Sequence, residues 1–159
     1  MLTGHKCPSK TIKYAYSNTE YSALKAAVST GASAWNNSGV GINFKNNSGG
    51  TGTLVNFMSV NRTDVSWDGI SYITSNSSTH LLVSANVNLN RAKAAWNDAS
   101  ALRSVAAHEM GHILGLGDRI SGIQVLMNGA TYGNGSRYGT YSITGPKADD
   151  LNGVNHLYP

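Results

Sequence analysis

The sequence has 159 residues, of which 40% are hydrophobic and 13% are charged, and its formal net charge is +4. A chain of this length can bury one sizeable core, so we expect a single domain over residues 1–159. The basic residues are scattered, which argues against a nucleic-acid partner, and no apolar stretch approaches the roughly 18 residues of a membrane span. The only cysteine, Cys7, cannot form an internal disulfide and is expected to be a free thiol.

The spacing of apolar residues predicts a strand, a helix, four strands, a helix, a long loop and a last helix. Ser17 is expected to cap the first helix, because Glu20 follows it at the spacing of a capping box. In the last strand, alternation places Val83 and three later apolar residues on the buried face. The predicted strands are 11–16, 42–44, 54–60, 70–74 and 83–90, and the predicted first helix is 18–36.

The second half of the chain is predicted to contain two helices separated by a loop. Ser100 is the expected cap of the first of these helices, and Gly115 is its expected end. Residues 119–143 are rich in Gly, Ser and Tyr, which is typical of a loop. Residues 144–146 should open the last helix, whose first turn carries two aspartates that the helix dipole favours.

One motif in the predicted second helix points to chemistry. Residues 108–112 read His-Glu-Met-Gly-His. Because residues four apart share one face of a helix, His108 and His112 can bind the same metal ion, and Glu109 can reach a water on that ion. Zinc accepts such nitrogen ligands and leaves a position for water in catalytic sites. The five residues alone also occur by chance, so two ordinary helix histidines remain the alternative.

The residues that follow the motif favour the metal site. A glycine at 115 lets the chain turn back at the end of the helix, so Asp118 can reach the same metal. The alternative is that Asp118 caps the helix in solvent, with water or another residue as third ligand. Met127 lies in a predicted turn nine residues further on. His5, His80 and His156 are expected to be surface or hydrogen-bonded histidines rather than ligands.

The pattern from His108 to Asp118, followed by Met127, resembles the metzincin zinc metallopeptidases with their Met-turn beneath the metal. Residues 85–90 and 148–158 are similar to the matrixin strand and closing helix, and aspartate as third ligand resembles the snapalysin type. The resemblance implies a metzincin-like α+β fold with a twisted five-stranded mixed sheet and three helices.

The same resemblance implies a function. Zn²⁺ would be bound by His108, His112 and Asp118, and Glu109 would be the general base of a zinc endopeptidase. The expected partner is a protein or peptide substrate, with no nucleic acid and no membrane, and the expected form is a secreted monomer. The first residues lack the apolar core of a signal peptide, so secretion would apply to a mature domain. A binding module on the same fold without useful turnover, and an enzyme acting on a non-peptide amide or ester, are the alternatives.

The chain also departs from these families. Snapalysin-type enzymes carry a disulfide, which a single cysteine cannot provide. Matrixins often bind a structural zinc, but the loop before the zinc helix offers only His80 with Asp64 and Asp68, so a second zinc is not predicted. Calcium bound by loop carboxylates or carbonyls stays open.

Two segments are expected to contact the substrate. Residues 70–74 would be the edge strand that pairs with an extended peptide. Residues 129–141, with three tyrosines and four glycines, would line the pocket for the residue after the cut. That pocket is expected to prefer a bulky apolar or aromatic side chain, and Arg137 is expected to repel Lys or Arg there. The alternative is that Arg137 points to solvent and the loop only covers the core.

Overall fold

The computed structural model describes residues 1–159 and contains one five-stranded mixed sheet and three α-helices. The predicted α+β fold is therefore confirmed. None of the helices is both long enough and apolar enough to cross a lipid bilayer. The strands are β1 (Thr11–Ala15), β2 (Asn43–Asn46), β3 (Val55–Val60), β4 (Gly69–Ser75) and β5 (Leu82–Asn90), and the helices are α1 (Ser22–Asn36), α2 (Ala99–Leu114) and α3 (Ala148–Leu157).

The sheet has the strand order β2-β1-β3-β5-β4, and only its last strand is antiparallel to its neighbour. Helix α1 connects the parallel strands β1 and β2, as a crossover between parallel strands requires. Strand β4 pairs with β5 alone and forms one edge of the sheet. That edge faces the helix that carries the histidine motif.

Helix α1 fixes the position of α2. The Trp35 side chain is fully buried, and its indole N–H donates to the Ala107 carbonyl oxygen at 2.9 Å. Gly31 lets the two helices approach closely, because a Cβ there would lie 3.1 Å from the Ala107 nitrogen. The residue after Ala107 is the first histidine of the motif, so this contact places the histidine-bearing end of α2 relative to the sheet.

Helix α1 begins at Ser22, four residues later than predicted, and Ser17 does not cap it. The Glu20 carboxylate instead accepts hydrogen bonds from the Ser59 N–H at 3.0 Å and the Ser59 hydroxyl at 2.8 Å. The expected capping box is wrong because its acidic partner is used to join the start of α1 to strand β3.

The ends of α2 and the start of α3 also differ in part from expectation. Asp98, rather than Ser100, caps α2, and its carboxylate accepts from two backbone N–H groups of the first turn. Gly115 ends α2 in the left-handed conformation with φ 101°, as predicted. Helix α3 starts at Ala148 instead of residues 144–146, because the Asp150 carboxylate accepts the Lys147 N–H at 2.7 Å.

Strand β5 breaks the predicted alternation at both ends. A bulge in the pairing with β4 leaves Val83 55% exposed, and Leu82 takes the inward position instead. Asn90 was expected to face outward but is 1% exposed. Its amide accepts the Arg62 N–H and donates to the Arg62 and Trp67 carbonyl oxygens, so it organises the loop before β4.

Candidate metal centre

A cleft of about 780 Å³ lies between the edge strand β4, helix α2 and the segment that follows Met127. Its walls include the histidine motif and the chain from Gly129 to Tyr132. The predicted candidate residues therefore meet in one place, as do the two segments expected to contact substrate. The residues that matter for chemistry in its lining are Ser71, His108, Glu109, His112, Asp118 and Arg137.

The two histidines of α2 present the same nitrogen to the cleft. The Nδ1 atom of His108 lies 2.9 Å from the Leu126 carbonyl oxygen, and that of His112 lies 2.8 Å from the Leu116 carbonyl oxygen. A carbonyl accepts only from a protonated nitrogen, so these bonds select the tautomer with the proton on Nδ1. Each Nε2 atom is then left with a free lone pair, which is the state that binds a metal.

Asp118 completes the set of donors, because the turn at Gly115 brings it back towards the helix. Its Oδ1 atom lies 3.1 Å from Nε2 of His108 and 3.5 Å from Nε2 of His112. Two ligands of a tetrahedral zinc ion are separated by about 3.4 Å when each bond is about 2.0–2.2 Å. The spacing of these three atoms, and the chemistry of two imidazoles and one carboxylate, therefore fit zinc.

Glu109 is the other acidic group beside the two histidines, and its carboxylate lies with their ring nitrogens in one cluster, all within 4.8 Å of one another. Its Oε2 atom accepts a hydrogen bond of 2.6 Å from the Ser71 hydroxyl on β4. Gly69 leaves room for this side chain, since a Cβ there would lie 3.1 Å from Oε1. The carboxylate is thus anchored to the edge strand and remains beside the histidines.

The electrostatics of the cluster favour an ionised Asp118 and a neutral His108. The neighbouring imidazole rings of His108 and His112 hold the pKa of Asp118 well below its usual range. Burial, together with the charge of Arg137, lowers the pKa of His108. For His112, burial opposes protonation, but the hydrogen bond to Asp118 and the charge of Glu109 outweigh it and raise the pKa. Asp118 therefore carries a negative charge at neutral pH.

Met127 lies beneath the histidine motif and is buried, as predicted. Gly111 makes room for it, because a Cβ at that position would overlap the Met127 sulfur. The Asp150 carboxylate accepts the N–H groups of Leu126 and Met127 at 2.9 and 3.1 Å. Helix α3 therefore fixes the turn on which the motif rests, a role that the sequence analysis did not assign to Asp150.

Arg137 does not point to solvent, so the alternative given for it is wrong, and its repulsion of Lys or Arg after the cut stays a prediction. It is 1% exposed, and burial lowers the pKa of its guanidinium to about 10, which leaves it charged at neutral pH. It donates to the Ser104 hydroxyl, the Asn128 carbonyl oxygen and the Thr131 hydroxyl. No local pattern marks this arginine as one that turns inward from a glycine-rich loop.

The first residues of the chain clamp the end of α2. The Thr3 N–H donates to the Gly115 carbonyl oxygen at 2.9 Å, and Nε2 of His5 lies 3.0 Å from the His112 carbonyl oxygen. His5 is hydrogen-bonded, as expected, and lies outside the cluster of donors. Cys7 is buried as a free thiol nearby, which confirms the prediction for it.

The sequence analysis missed the contacts by which Ser71 and Asp150 support the site, and it missed the burial of Arg137. Each acts through a contact between elements far apart in the chain, so no local pattern marks it. His108, Glu109, His112 and Asp118 could be predicted to lie together because their spacing along α2 and its turn is itself the signal.

Comparison with known proteins agrees with this geometry. No curated protein matches the chain. The family model described as matrixin, Peptidase_M10, matches residues 6–159, which is nearly the whole chain and includes every residue of the site. The chain therefore belongs to the matrixin family of zinc metallopeptidases.

Proposed function

We propose that this protein is a zinc endopeptidase in which His108, His112 and Asp118 bind the metal and Glu109 is the general base. The observation that carries the proposal is the convergence of one Asp118 oxygen on the Nε2 atoms of both histidines, at 3.1 and 3.5 Å. Glu109 adjoins the same cluster and is anchored by Ser71, so a proton acceptor stands beside the candidate metal ligands.

When bound, zinc would polarise the scissile carbonyl and acidify a water molecule. Glu109 would accept a proton from the attacking water and then pass it to the leaving amine. The Ser71 hydroxyl would keep the carboxylate of Glu109 oriented during both transfers. Asp118 brings a negative charge to the ligand set, whereas three histidines would bring none. A positive charge close to the ligands could therefore offset that of Asp118.

An extended peptide is the substrate that this cleft suits. Strand β4 is hydrogen-bonded on one side only, so its other side can pair with a substrate backbone. Ile70 and Ile73 of this strand line the cleft, and Ala130, Thr131 and Tyr132 form part of the facing wall. A bulky apolar or aromatic residue after the cut remains our expectation. Discrimination against Lys or Arg there also remains, since the charged guanidinium of Arg137 lines the cleft.

We infer that residues 1–159 form one domain that acts outside the cell as a monomer, with no nucleic acid or membrane as partner. Membership of the matrixin family supports the extracellular placement, since matrixin domains are typically extracellular. The scattered basic residues support the absence of a nucleic-acid partner.

The test is digestion of casein and gelatin by the zinc-loaded protein, with and without a chelator, together with metal analysis. We expect about one zinc per chain, cleavage that the chelator abolishes, and recovery when zinc is restored. Mass spectrometry of the products should show cuts at internal peptide bonds. Zinc binding without cleavage would favour a binding module, and cleavage of only small esters or non-peptide amides would contradict the endopeptidase.

A further inference from the structure

The Arg137 guanidinium is a buried positive charge that has no ion-pair partner. None of the ion pairs in the structure includes it. Its hydrogen-bond partners are two hydroxyls and one backbone carbonyl, all uncharged. Burying an unpaired charge costs free energy of folding. If Arg137 only joined its loop to α2, a neutral side chain would do this at a lower cost.

The position of this charge relative to the metal ligands is specific. Nη1 of Arg137 lies 3.1 Å from Nδ1 of His108. That nitrogen already faces the Leu126 carbonyl oxygen at 2.9 Å, and it cannot donate to the carbonyl and accept from Arg137 at once. In the tautomer that frees Nε2 for a metal, Arg137 is therefore a cation beside the imidazole rather than its hydrogen-bond donor.

Three acidic residues line the same cavity as Arg137. They are Asp68, Glu109 and Asp118. Among them, Asp118 alone contacts both histidines. The positive charge and the carboxylate thus lie on opposite nitrogens of His108, Arg137 at Nδ1 and Asp118 at Nε2.

We propose that Arg137 is a positioning residue that acts through His108 and offsets the negative charge that Asp118 brings to the metal site. The proposal rests on the function and ligand set proposed above. With Arg137 in place, the net charge around His108 and Asp118 returns to that of a site with neutral ligands. Because the charge of Asp118 is offset, a bound zinc ion would polarise a substrate carbonyl more strongly. The same positive charge would weaken the binding of zinc.

Arg137 is expected to weaken zinc binding through two physical effects. A fixed positive charge repels Zn²⁺ through the imidazole. Arg137 also stabilises the other tautomer of His108, in which Nδ1 accepts from Nη1 and the Nε2 proton faces Asp118, and this tautomer cannot bind a metal. Removal of the charge should therefore strengthen zinc binding. A merely structural role for Arg137 predicts the reverse, because a loosened site binds zinc more weakly.

The experiment measures zinc affinity by competition with a chromophoric chelator in Arg137→Met and Arg137→Gln, with Arg137→Lys as the control that keeps the charge. Circular dichroism and thermal unfolding establish that each variant is folded. The glutamine variant retains amide donors for the Asn128 carbonyl oxygen, so it tests charge with less disturbance of packing. We expect zinc to bind the neutral variants at least about tenfold more tightly and the lysine variant within about threefold of the unaltered protein.

A second readout is turnover of a quenched fluorescent peptide. We expect the kcat of the neutral variants to fall by about tenfold or more with little change in KM, while Arg137→Lys keeps most of the activity. In an Asp118→His background, where no ligand charge needs to be offset, Arg137→Met should lower kcat much less. Neutral variants that bind zinc equally or more weakly than the unaltered protein would overturn the proposal. If the unaltered protein cleaves no peptide, the proposed function fails, while the affinity measurement still decides the role of Arg137.

Discussion

The hydrogen bond between Ser71 and Glu109 offers a sharp test of how the general base is oriented. The serine lies on the edge strand and the glutamate on α2, and the bond measures 2.6 Å between the Ser71 hydroxyl oxygen and Oε2. Replacing Ser71 by alanine deletes one oxygen atom and leaves the metal ligands and the backbone of β4 unchanged. The Glu109 side chain would then lose its contact with the edge strand.

The size of the effect follows from the kind of bond. A hydrogen bond to a charged group contributes about 1.5–3 kcal/mol. If the proton transfers need the orientation that this bond imposes, Ser71→Ala raises the activation barrier by that amount, and kcat falls by about 10- to 100-fold. Because no ligand atom is lost, zinc content and KM should change little.

The assay is steady-state cleavage of a fluorogenic peptide by protein with measured zinc content. Ser59→Ala is the matched control, since Ser59 makes a similar 2.8 Å hydrogen bond to Glu20, away from the cleft. We expect the control to retain the kcat of the unaltered protein and Ser71→Thr, which keeps the hydroxyl, to retain most of it. If Ser71→Ala keeps more than half of the original kcat, the argued orientation of Glu109 is refuted.

Further expectations concern the metal, the core and the buried thiol. In a zinc-bound crystal structure, an Asp118 oxygen should lie about 2.0–2.2 Å from the metal, and a distance beyond bonding range would remove Asp118 from the ligand set. Gly111→Ala should lower the free energy of unfolding by about 1–3 kcal/mol in urea titrations, because its Cβ overlaps the Met127 sulfur; an unchanged midpoint would argue against that contact. Burial raises the pKa of the Cys7 thiol from 9.0 to about 11. The free energy of unfolding should therefore fall as the pH rises above 9, because the thiol ionises in the unfolded chain before it ionises in the folded protein. In urea titrations at pH 10.5, this fall should be about 2 kcal/mol larger than in Cys7→Ala, and an equal fall in both proteins would contradict the prediction.

The sequence was sufficient to predict those structural elements that depend on residues close together in the chain. Apolar periodicity identified all five strands and three helices, because each element buries one face against a common core. Gly115 could be predicted because the left-handed end of α2 needs a residue without Cβ. The spacing of the histidine motif was informative for the same reason, since a helix converts that spacing into a shared face.

The failures occurred where tertiary contacts override local preference. Glu20 bonds to strand β3 rather than to its own helix start, and Asp98 replaces Ser100 as the cap of α2. The bulge that turns Val83 outward depends on pairing with β4, which no pattern within β5 reveals. The burial of Arg137 was not predicted because a charged residue in a polar loop is usually solvated, and only the assembled site shows what surrounds it.

Comparison of the unaltered protein with Glu109→Ala at equal zinc content tests the central claim most directly. Both proteins are loaded with zinc, their metal content is measured, and peptide cleavage is followed under the same conditions. Because the substitution removes the base and leaves His108, His112 and Asp118, we expect near-stoichiometric zinc in both proteins. Cleavage by the variant should fall by about 10²-fold or more. A variant that binds zinc and keeps most of its activity would contradict the assignment of Glu109, and with it the mechanism proposed for this site.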